Sequence, residues 1–367
     1  MTEKKGLILL VAGGTGGHVF PATALNTELK IRGWKTSFIT DNRGVKFTKL
    51  DNSTEVYQLN SINPGRTIFS KLKKILFLGI TLVKAIIVIR RISPDLVIGF
   101  GGSMTIPSIF ASKILGYPSI VHEQNAILGR ANRVLVKYVD QIATAYPKVL
   151  GIPARYYAKI IFTGNPVRSA ITVVAQRKEI KTNQILILGG SQGAQIFSKI
   201  VPEAVKLLPK NISEKLVIYQ QCRGEDIEEV KSKYANTDVT PTLATFFSNI
   251  PELMATSCLI ISRAGASTIA ELNAIGRPAI LVPYPAAMDD HQSANARNIA
   301  KSGAGWVIPQ EDFTPIALAE RLTIYLSSSA LLKAASINSA KIGYPDATQK
   351  LANVIEKISA SATRIKL

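Results

Sequence analysis

A single histidine, His18, stands in a stretch almost bare of side chains. Residues 9 to 22 read LLVAGGTGGHVFPA, with four glycines between an apolar run and a proline. Glycines at such a turn let a ligand or another backbone approach closely. An imidazole there is well placed to take up a proton near neutral pH. The residue type alone fits a capping or core histidine as well. The chain has three histidines, His18, His122 and His291, each at an expected strand end or helix start. They do not form a metal motif: HEQNA, 122 to 126, lacks the second histidine of the helical zinc signature. No metal and no cofactor is expected.

A second glycine turn lies in QILILGGSQGAQIF, 184 to 197. Gly189, Gly190, Ser191, Gln192 and Gly193 follow an apolar run and precede a helical pattern. Free N–H groups and the positive dipole end of the following helix suit a diphosphate; close helix–strand packing without a ligand is the other reading. The first turn is not the dinucleotide fingerprint, because Val19 occupies the place of its third glycine, and no Gly-Lys-Ser/Thr of a P-loop occurs. A third stretch, SRAGASTIAE at 262 to 271, is again strand, turn, helix. Gly265 permits the turn, and Ser267 and Thr268 can cap the helix. Glu271 falls one turn inside it, where a carboxylate can accept both hydroxyls of a ribose. A glutamate serving only the helix dipole would look the same.

The elements that must position these residues alternate regularly. Apolar runs at 6–12, 36–40, 94–102, 118–125, 140–145 and 159–166 are followed by helical patterns, and a second series runs through 184–188, 215–221, 258–262, 278–285 and 304–309. Strands buried on both faces and alternating with helices make a parallel sheet. The 367 residues therefore read as two similar α/β halves, each opened by a glycine turn. The joint is expected near TGNPVRSA, 163 to 170, where Asn165-Pro166 breaks local structure. The last 20 or so residues read as a helix.

Charge narrows the partners. The net charge is +19, which favours a large anionic partner, nucleic acid or anionic lipid. Between Glu55 and Asp95 there is no acid, while Arg66, Lys71, Lys73, Lys74, Lys84, Arg90 and Arg91 surround ILFLGITLVKAIIVI, 75 to 89. Cations mixed with aliphatics, rather than with polar and aromatic residues, fit a membrane surface better than nucleic acid. The run is short for a span and holds Lys84 near its middle. A core helix with basic ends and an interfacial helix both stay open. The two cysteines, Cys222 and Cys258, imply no disulfide framework and suit a reducing compartment. The polar opening residues and the short apolar run after them give no secretory signal.

Together these motifs resemble one family, the MurG glycosyltransferases of peptidoglycan synthesis (glycosyltransferase family 28). The resemblance spans essentially the whole chain. It rests on GGTGGHVFPA (13–22), GFGG (99–102), HEQNA (122–126), TGNPVR (163–168), GGSQGA (189–194), SRAGASTIAE (262–271) and DHQSANA (290–296). It implies a GT-B fold, two Rossmann-like domains with parallel sheets facing a central cleft. Residues 1–165 would form the acceptor- and membrane-facing domain, residues 166–345 the UDP-sugar domain, and residues 346–367 a helix packing back on the first domain.

The implied activity is inverting, metal-independent transfer of N-acetylglucosamine from UDP-N-acetylglucosamine to the C4 hydroxyl of undecaprenyl-linked muramyl pentapeptide, lipid I, giving lipid II. A related glycolipid glycosyltransferase with another acceptor fits the same motifs. By resemblance, Thr15, Gly16 and Gly17 meet the donor's sugar-phosphate region, and Asn125 lies near the N-acetylglucosamine. Arg168 and Ser191 contact the donor, Ser191 at its phosphates, and the backbone of Ile250 reads uracil. Ala266, Ser267, Thr268, Ile269, Ala270 and Glu271 form the nucleoside turn, and Gln292 holds sugar hydroxyls. His18 is the candidate general base. The partners implied are the donor, lipid I and an anionic membrane surface, with no nucleic acid and no protein partner legible. The implied location is peripheral, on the cytoplasmic face of the bacterial plasma membrane, with Lys71, Lys73, Lys74, Ile75, Leu76 and Phe77 at the contact.

Overall fold

A computed structural model describes residues 5–48, 50–51, 53–59, 68–176, 180–190 and 193–365, with side chains throughout except at 68–77 and 362–365. The chain divides into two compact units, Met1–Arg168 with Asp346–Leu367, and Ser169–Pro345.

Among the described residues the first unit holds seven strands: β1 Leu7–Val11, β2 Lys35–Thr40, β3 Glu55–Gln58, β4 Leu96–Gly99, β5 Ser119–Glu123, β6 Gln141–Thr144 and β7 Ile160–Phe162. All pair in parallel, in the order β3-β2-β1-β4-β5-β6-β7. Alternate residues of each strand face opposite sides. Leu9, Val11, Val97 and Val121 therefore pack under the helices Ile68–Ile92 and Thr105–Ile114, through Ala85, Ile89 and Ile109. Ile8, Leu10, Ile98 and Ile120 pack on the other side, against Val19, Leu25 and Leu29 of the helix Gly16–Ile31 and Leu351 and Ile355 of the helix Ala347–Ile365. The last helix is also tied by charge: Glu356 accepts from Lys5 Nζ at 2.6 Å, Arg32 Nη1 at 2.9 Å and Trp34 Nε1 at 3.0 Å.

The second unit repeats the plan, among the described residues, with six parallel strands, β8 Lys181–Leu188, β9 Val217–Gln221, β10 Thr242–Ala244, β11 Ser257–Ser262, β12 Ala279–Leu281 and β13 Gly305–Val307. Their order is β10-β9-β8-β11-β12-β13. Its core joins Ile185, Ile187, Leu259, Ile261 and Ile280 to Phe197 and Val201 of the helix Gln195–Lys206 and to Leu318 and Leu322 of the helix Pro315–Leu326. Both sheets are Rossmann-like. In each, the strand order reverses beside the strand that carries a glycine turn, between β1 and β4 and between β8 and β11. Ligands of open parallel sheets bind at such a point, beyond the carboxyl ends of the strands.

The sequence pattern missed β3 and β10. Both are edge strands, and EVYQ and TLA are largely exposed or half-buried, so neither carries an apolar run. The basic segment resolves into a 25-residue helix, Ile68–Ile92. Among the described residues no helix is long and apolar enough to cross a membrane. The side chains of Lys71, Lys73, Lys74, Ile75, Leu76 and Phe77 lie outside those described.

Candidate active site

At the first sheet's switch point two turns touch. Gly14 has φ +87°, and its N–H donates to Asp41 Oδ1 at 2.9 Å, an atom that also accepts from Gly44 N–H at 2.8 Å. This buried carboxylate at the end of β2 fixes the glycine turn. Gly102, after β4, has φ +83°, and a Cβ there would lie 2.5 Å from the Gly13 carbonyl oxygen. No other residue fits that approach without displacing the backbone. The helix Gly16–Ile31 starts at once, with Thr15 as its N-cap and no side-chain cap. Thr15 and Gly17 are exposed and Gly16 is buried.

His18 is half-buried in the first turn of that helix. Its Nδ1 lies 3.0 Å from the Gly13 carbonyl oxygen. A carbonyl only accepts, so Nδ1 carries the proton and, in the neutral ring, Nε2 carries the lone pair. The Nε2 edge lies against Gly101, where a Cβ would sit 3.1 Å from it. Arg168, distant in sequence, joins this region: its guanidinium lies 5.8 Å from the centre of the Phe20 ring, and that ring covers Gly16.

Asn125 follows β5 and is held by a residue that sequence reasoning left unassigned. Its backbone N–H and Nδ2 donate to Glu123 Oε1 at 3.0 and 3.1 Å, while Glu123 Oε2 accepts from Gly129 N–H and Asn132 Nδ2, each at 2.8 Å. Glu123 is 1% exposed, so four donors converge on a buried carboxylate. The available signal was an acid inside HEQNA. His122 stands at its expected strand end but is fully buried. Its Nε2 donates to the Gly164 carbonyl at 3.0 Å, and burial pushes its pKa down to about 4. It is neutral at pH 7 and joins β5 to the TGNPVR segment.

In the second unit the turn after β8 is equally tight. A Cβ on Gly189 would lie 2.4 Å from Ala194 N, and Gly190 and Gly193 have φ of +81° and +70°. The helix Gln195–Lys206 follows. Ser191 lies outside the described residues. After β11 the helix Ala266–Ile275 begins with Gly265 as N-cap and no side-chain cap. Ser267 and Thr268 are therefore not caps. They are the second and third residues of the first turn, whose backbone N–H groups have no intrahelical acceptor. Ala266 and Ile269 turn into the core, Ser267, Thr268 and Ala270 are half-buried, and Glu271 is 8% exposed. Helical side chains lean toward the N-terminus, which carries the Glu271 carboxylate back over the first turn.

Gln292 stands next to that turn. Its Oε1 accepts from Ala264 N–H at 3.2 Å and from Tyr284 N–H at 3.0 Å, linking the segments after β11 and β12. With the oxygen so engaged, Nε2 must point away from both. His291, preceding it, sits on the Met288 carbonyl through Nδ1 at 2.7 Å. Asp289 and Asp290 before it adopt left-handed φ of 53° and 52°, backbone strain of the kind kept at working loops. Ile250 is the first residue of the helix Ile250–Thr256, so its N–H is among those with no intrahelical acceptor. Arg263, directly after β11, is a second residue that sequence reasoning passed over. Among the described residues no group of three or more His, Cys, Asp or Glu side chains could hold a metal ion.

Comparison with known proteins matches these two edges to one family. Residues 8–144 match the glycosyltransferase family 28 N-terminal domain and residues 184–356 its C-terminal domain. The chain is 44% identical over 353 residues to a protein of Rhodospirillum centenum, covering 95% of this chain and 93% of that one. It is 42% identical over 361 residues to one of Paramagnetospirillum magneticum, covering 97% of each. Both bear the name UDP-N-acetylglucosamine--N-acetylmuramyl-(pentapeptide) pyrophosphoryl-undecaprenol N-acetylglucosamine transferase. The crystal structure of Acinetobacter baumannii MurG superposes with a TM-score of 0.76 at 30% identity, covering 96% of this chain and all of that one. Two glycine-turn sheets in this order, each matched by its own domain model, and identity sustained over nearly the full length show that the chain belongs to glycosyltransferase family 28, among its MurG members.

Proposed function

We propose that this protein transfers N-acetylglucosamine from UDP-N-acetylglucosamine to the C4 hydroxyl of muramyl-pentapeptide pyrophosphoryl-undecaprenol, with inversion at the anomeric carbon. One observation carries the donor assignment. At the second sheet's switch-point edge, a glycine turn, an uncapped helix N-terminus, the buried Glu271 and the clamped Gln292 amide gather around the ends of β8, β11 and β12. That set offers N–H groups for a diphosphate, a carboxylate for a ribose diol and an amide for sugar hydroxyls. Ser191 would add a hydroxyl at the phosphates, and the Ile250 N–H would meet the uracil edge. Radiolabelled N-acetylglucosamine transfer to a lipid I analogue tests the assignment. Hydrolysis of the donor without transfer to that acceptor would contradict it.

On the first unit, His18 acts as general base. The acceptor hydroxyl loses its proton to Nε2 as its oxygen bonds to the anomeric carbon, and the bond to UDP breaks on the opposite face. The Nδ1–Gly13 hydrogen bond keeps the ring in the tautomer that can accept this proton. Thr15, Gly16 and Gly17 meet the donor's sugar-phosphate region and Asn125 its acetamido sugar. Negative charge grows on the departing diphosphate, so Arg168 and the helix N-termini stabilise the transition state more than the ground state.

The acceptor's lipid stays in a bilayer, and the helix Ile68–Ile92 is the contact surface. Thr81, Ala85 and Ile89 are buried in the unit. The opposite side exposes Ile80, Val83 and Ile87, with Lys84, Arg90 and Arg91 beside them. One helix thus has a core face and an apolar, cationic outer face, which is the composition of an interfacial element. The cytoplasmic leaflet is the anionic one, which favours a peripheral position on that face of the plasma membrane.

A further inference from the structure

We propose that Arg263 is a positioning residue for the donor sugar. It ties the ends of β11, β12 and β13 together and so holds the Gln292 amide with Nε2 turned toward the ligand. The inference rests on the reading of Gln292 as a sugar contact.

Arg263 Nη1 donates to the carbonyls of Val282 and Pro283, both at 3.2 Å, and Nη2 donates to Gln310 Oε1 at 2.7 Å. Its guanidinium lies near two rings, 5.5 Å from the centre of Phe197 and 5.3 Å from that of Tyr284. Among the described residues it has no carboxylate partner. Burial lowers its pKa, in keeping with a cation surrounded by carbonyls and rings. A partly desolvated cation is a costly way to join strand ends, since an apolar side chain would fill the same gap without that penalty. What an arginine adds is a rigid fork that fixes several acceptors at once.

The fork and the amide brace the same gap at adjacent residues. Arg263 holds the carbonyls of Val282 and Pro283, while Gln292 Oε1 holds the N–H groups of Ala264 and Tyr284. Ala264 is the residue after Arg263, and Tyr284 the residue after Pro283. If the Pro283–Tyr284 segment moves, Gln292 loses one of its two anchors, and the longer bond from Ala264 N–H alone is left to hold its oxygen on the protein side. Arg263 thus sets which end of the Gln292 amide the ligand meets, without touching the ligand itself.

The test is a double-variant cycle in the full-length protein, Arg263→Lys, Gln292→Ala and the two together. Calorimetry is run with UDP and with UDP-N-acetylglucosamine. Lysine keeps the charge but cannot reproduce the fork. Arg263→Lys should hold UDP affinity within about twofold and lose about tenfold in UDP-N-acetylglucosamine affinity, the scale of one hydrogen bond. The double variant should bind the sugar nucleotide no more weakly than Gln292→Ala alone. Equal losses for both ligands, or additive losses in the double variant, would overturn the proposal. If Arg263→Lys does not fold by circular dichroism, Gln310→Ala, which removes one anchor of the fork, decides on the same criterion. No loss in Gln292→Ala would remove the sugar-contact reading itself. A loss there with none in Arg263→Lys would overturn the positioning role alone.

Discussion

Replacing Glu123 with glutamine changes one atom in charge and almost nothing in shape, yet it should damage the first unit severely. The carboxylate accepts four hydrogen bonds, two on each oxygen, from Asn125 N–H and Nδ2 and from Gly129 N–H and Asn132 Nδ2. A glutamine amide presents one oxygen and one NH₂ group. Whichever way it turns, two of the four donors then face donors. Each lost bond was to a charged acceptor, worth about 1.5–3 kcal/mol, so the change should cost roughly 3–6 kcal/mol. With a denaturant slope near 2 kcal/mol per molar urea, the midpoint should fall by about 2 M. The two units can unfold separately, so the probe must report only the first. Trp34 lies in that unit, on Glu356, and Trp306 lies in the other, stacked on Tyr325. Fluorescence of Trp34 in a Trp306→Phe background is therefore the readout. A midpoint within a few tenths of a molar of the parent would refute the claim that this carboxylate organises the 125–132 segment. Glu123→Asp keeps the charge but shortens the reach, and should fall between the two.

Other outcomes follow from the same geometry. His18→Ala should lower kcat by about 10²–10⁴-fold while donor affinity stays nearly constant; steady-state kinetics showing lost affinity at unchanged kcat would make His18 a binding residue. Glu271→Ala should weaken UDP binding by about 1.5–3 kcal/mol, and unchanged affinity by calorimetry would remove the ribose assignment. Changing Lys84, Arg90 and Arg91 to glutamate should release the protein from anionic vesicles in co-sedimentation, as should high salt, yet spare transfer to a detergent-soluble acceptor. Binding indifferent to both would place the membrane contact elsewhere. The Glu356 carboxyl, half-buried and bonded to Lys5, Trp34 and Arg32, has its pKa held down at about 2. A depressed folded-state value means its stabilising contribution is full above the ordinary glutamate range and is lost as pH falls from about 4.5 toward 2. Glu356→Gln should flatten that part of the acid-unfolding curve followed by Trp34, and an identical curve would deny the link.

The sheets were legible because their strands are buried on both faces and so announce themselves as apolar runs. Eleven of the thirteen strands among the described residues carry such a run. β3 and β10 do not, since an edge strand with exposed side chains needs no apolar pattern to take its place beside a neighbour. The glycine turns were legible for a related reason. A Cβ at Gly102 or Gly189 would strike backbone within 2.5 Å, so the chain must leave those positions bare, and bareness is visible in a sequence. The capping role given to Ser267 and Thr268 failed because residue type does not locate the first helical residue. The helix begins at Ala266, two residues too early for Ser267 to be its N-cap and three too early for Thr268.

What a sequence hides is the support behind a site. Glu123 and Arg263 both sit beside residues that were read as ligand contacts, and neither was assigned a task. Their work depends on partners brought together by the sheet: Asn132 from the helix after β5 for one, and Val282, Pro283 and Gln310 from the ends of β12 and β13 for the other. Ligand contacts can be read from types and spacing because the ligand's chemistry limits the residues that suit it. Supporting residues answer instead to local backbone geometry, to stray N–H and carbonyl groups at strand ends. Those exist only once the chain has folded. The two carry opposite charges for the same reason: Glu123 gathers the orphan N–H groups of a loop that opens into a helix, and Arg263 gathers the orphan carbonyls where strands end. In a parallel sheet both kinds of orphan collect at the carboxyl edge, which is also where the ligand binds. A charged side chain wholly or partly buried at that edge, next to a ligand contact and bonded to orphan backbone groups, is therefore the feature to look for when the contacts themselves are already known.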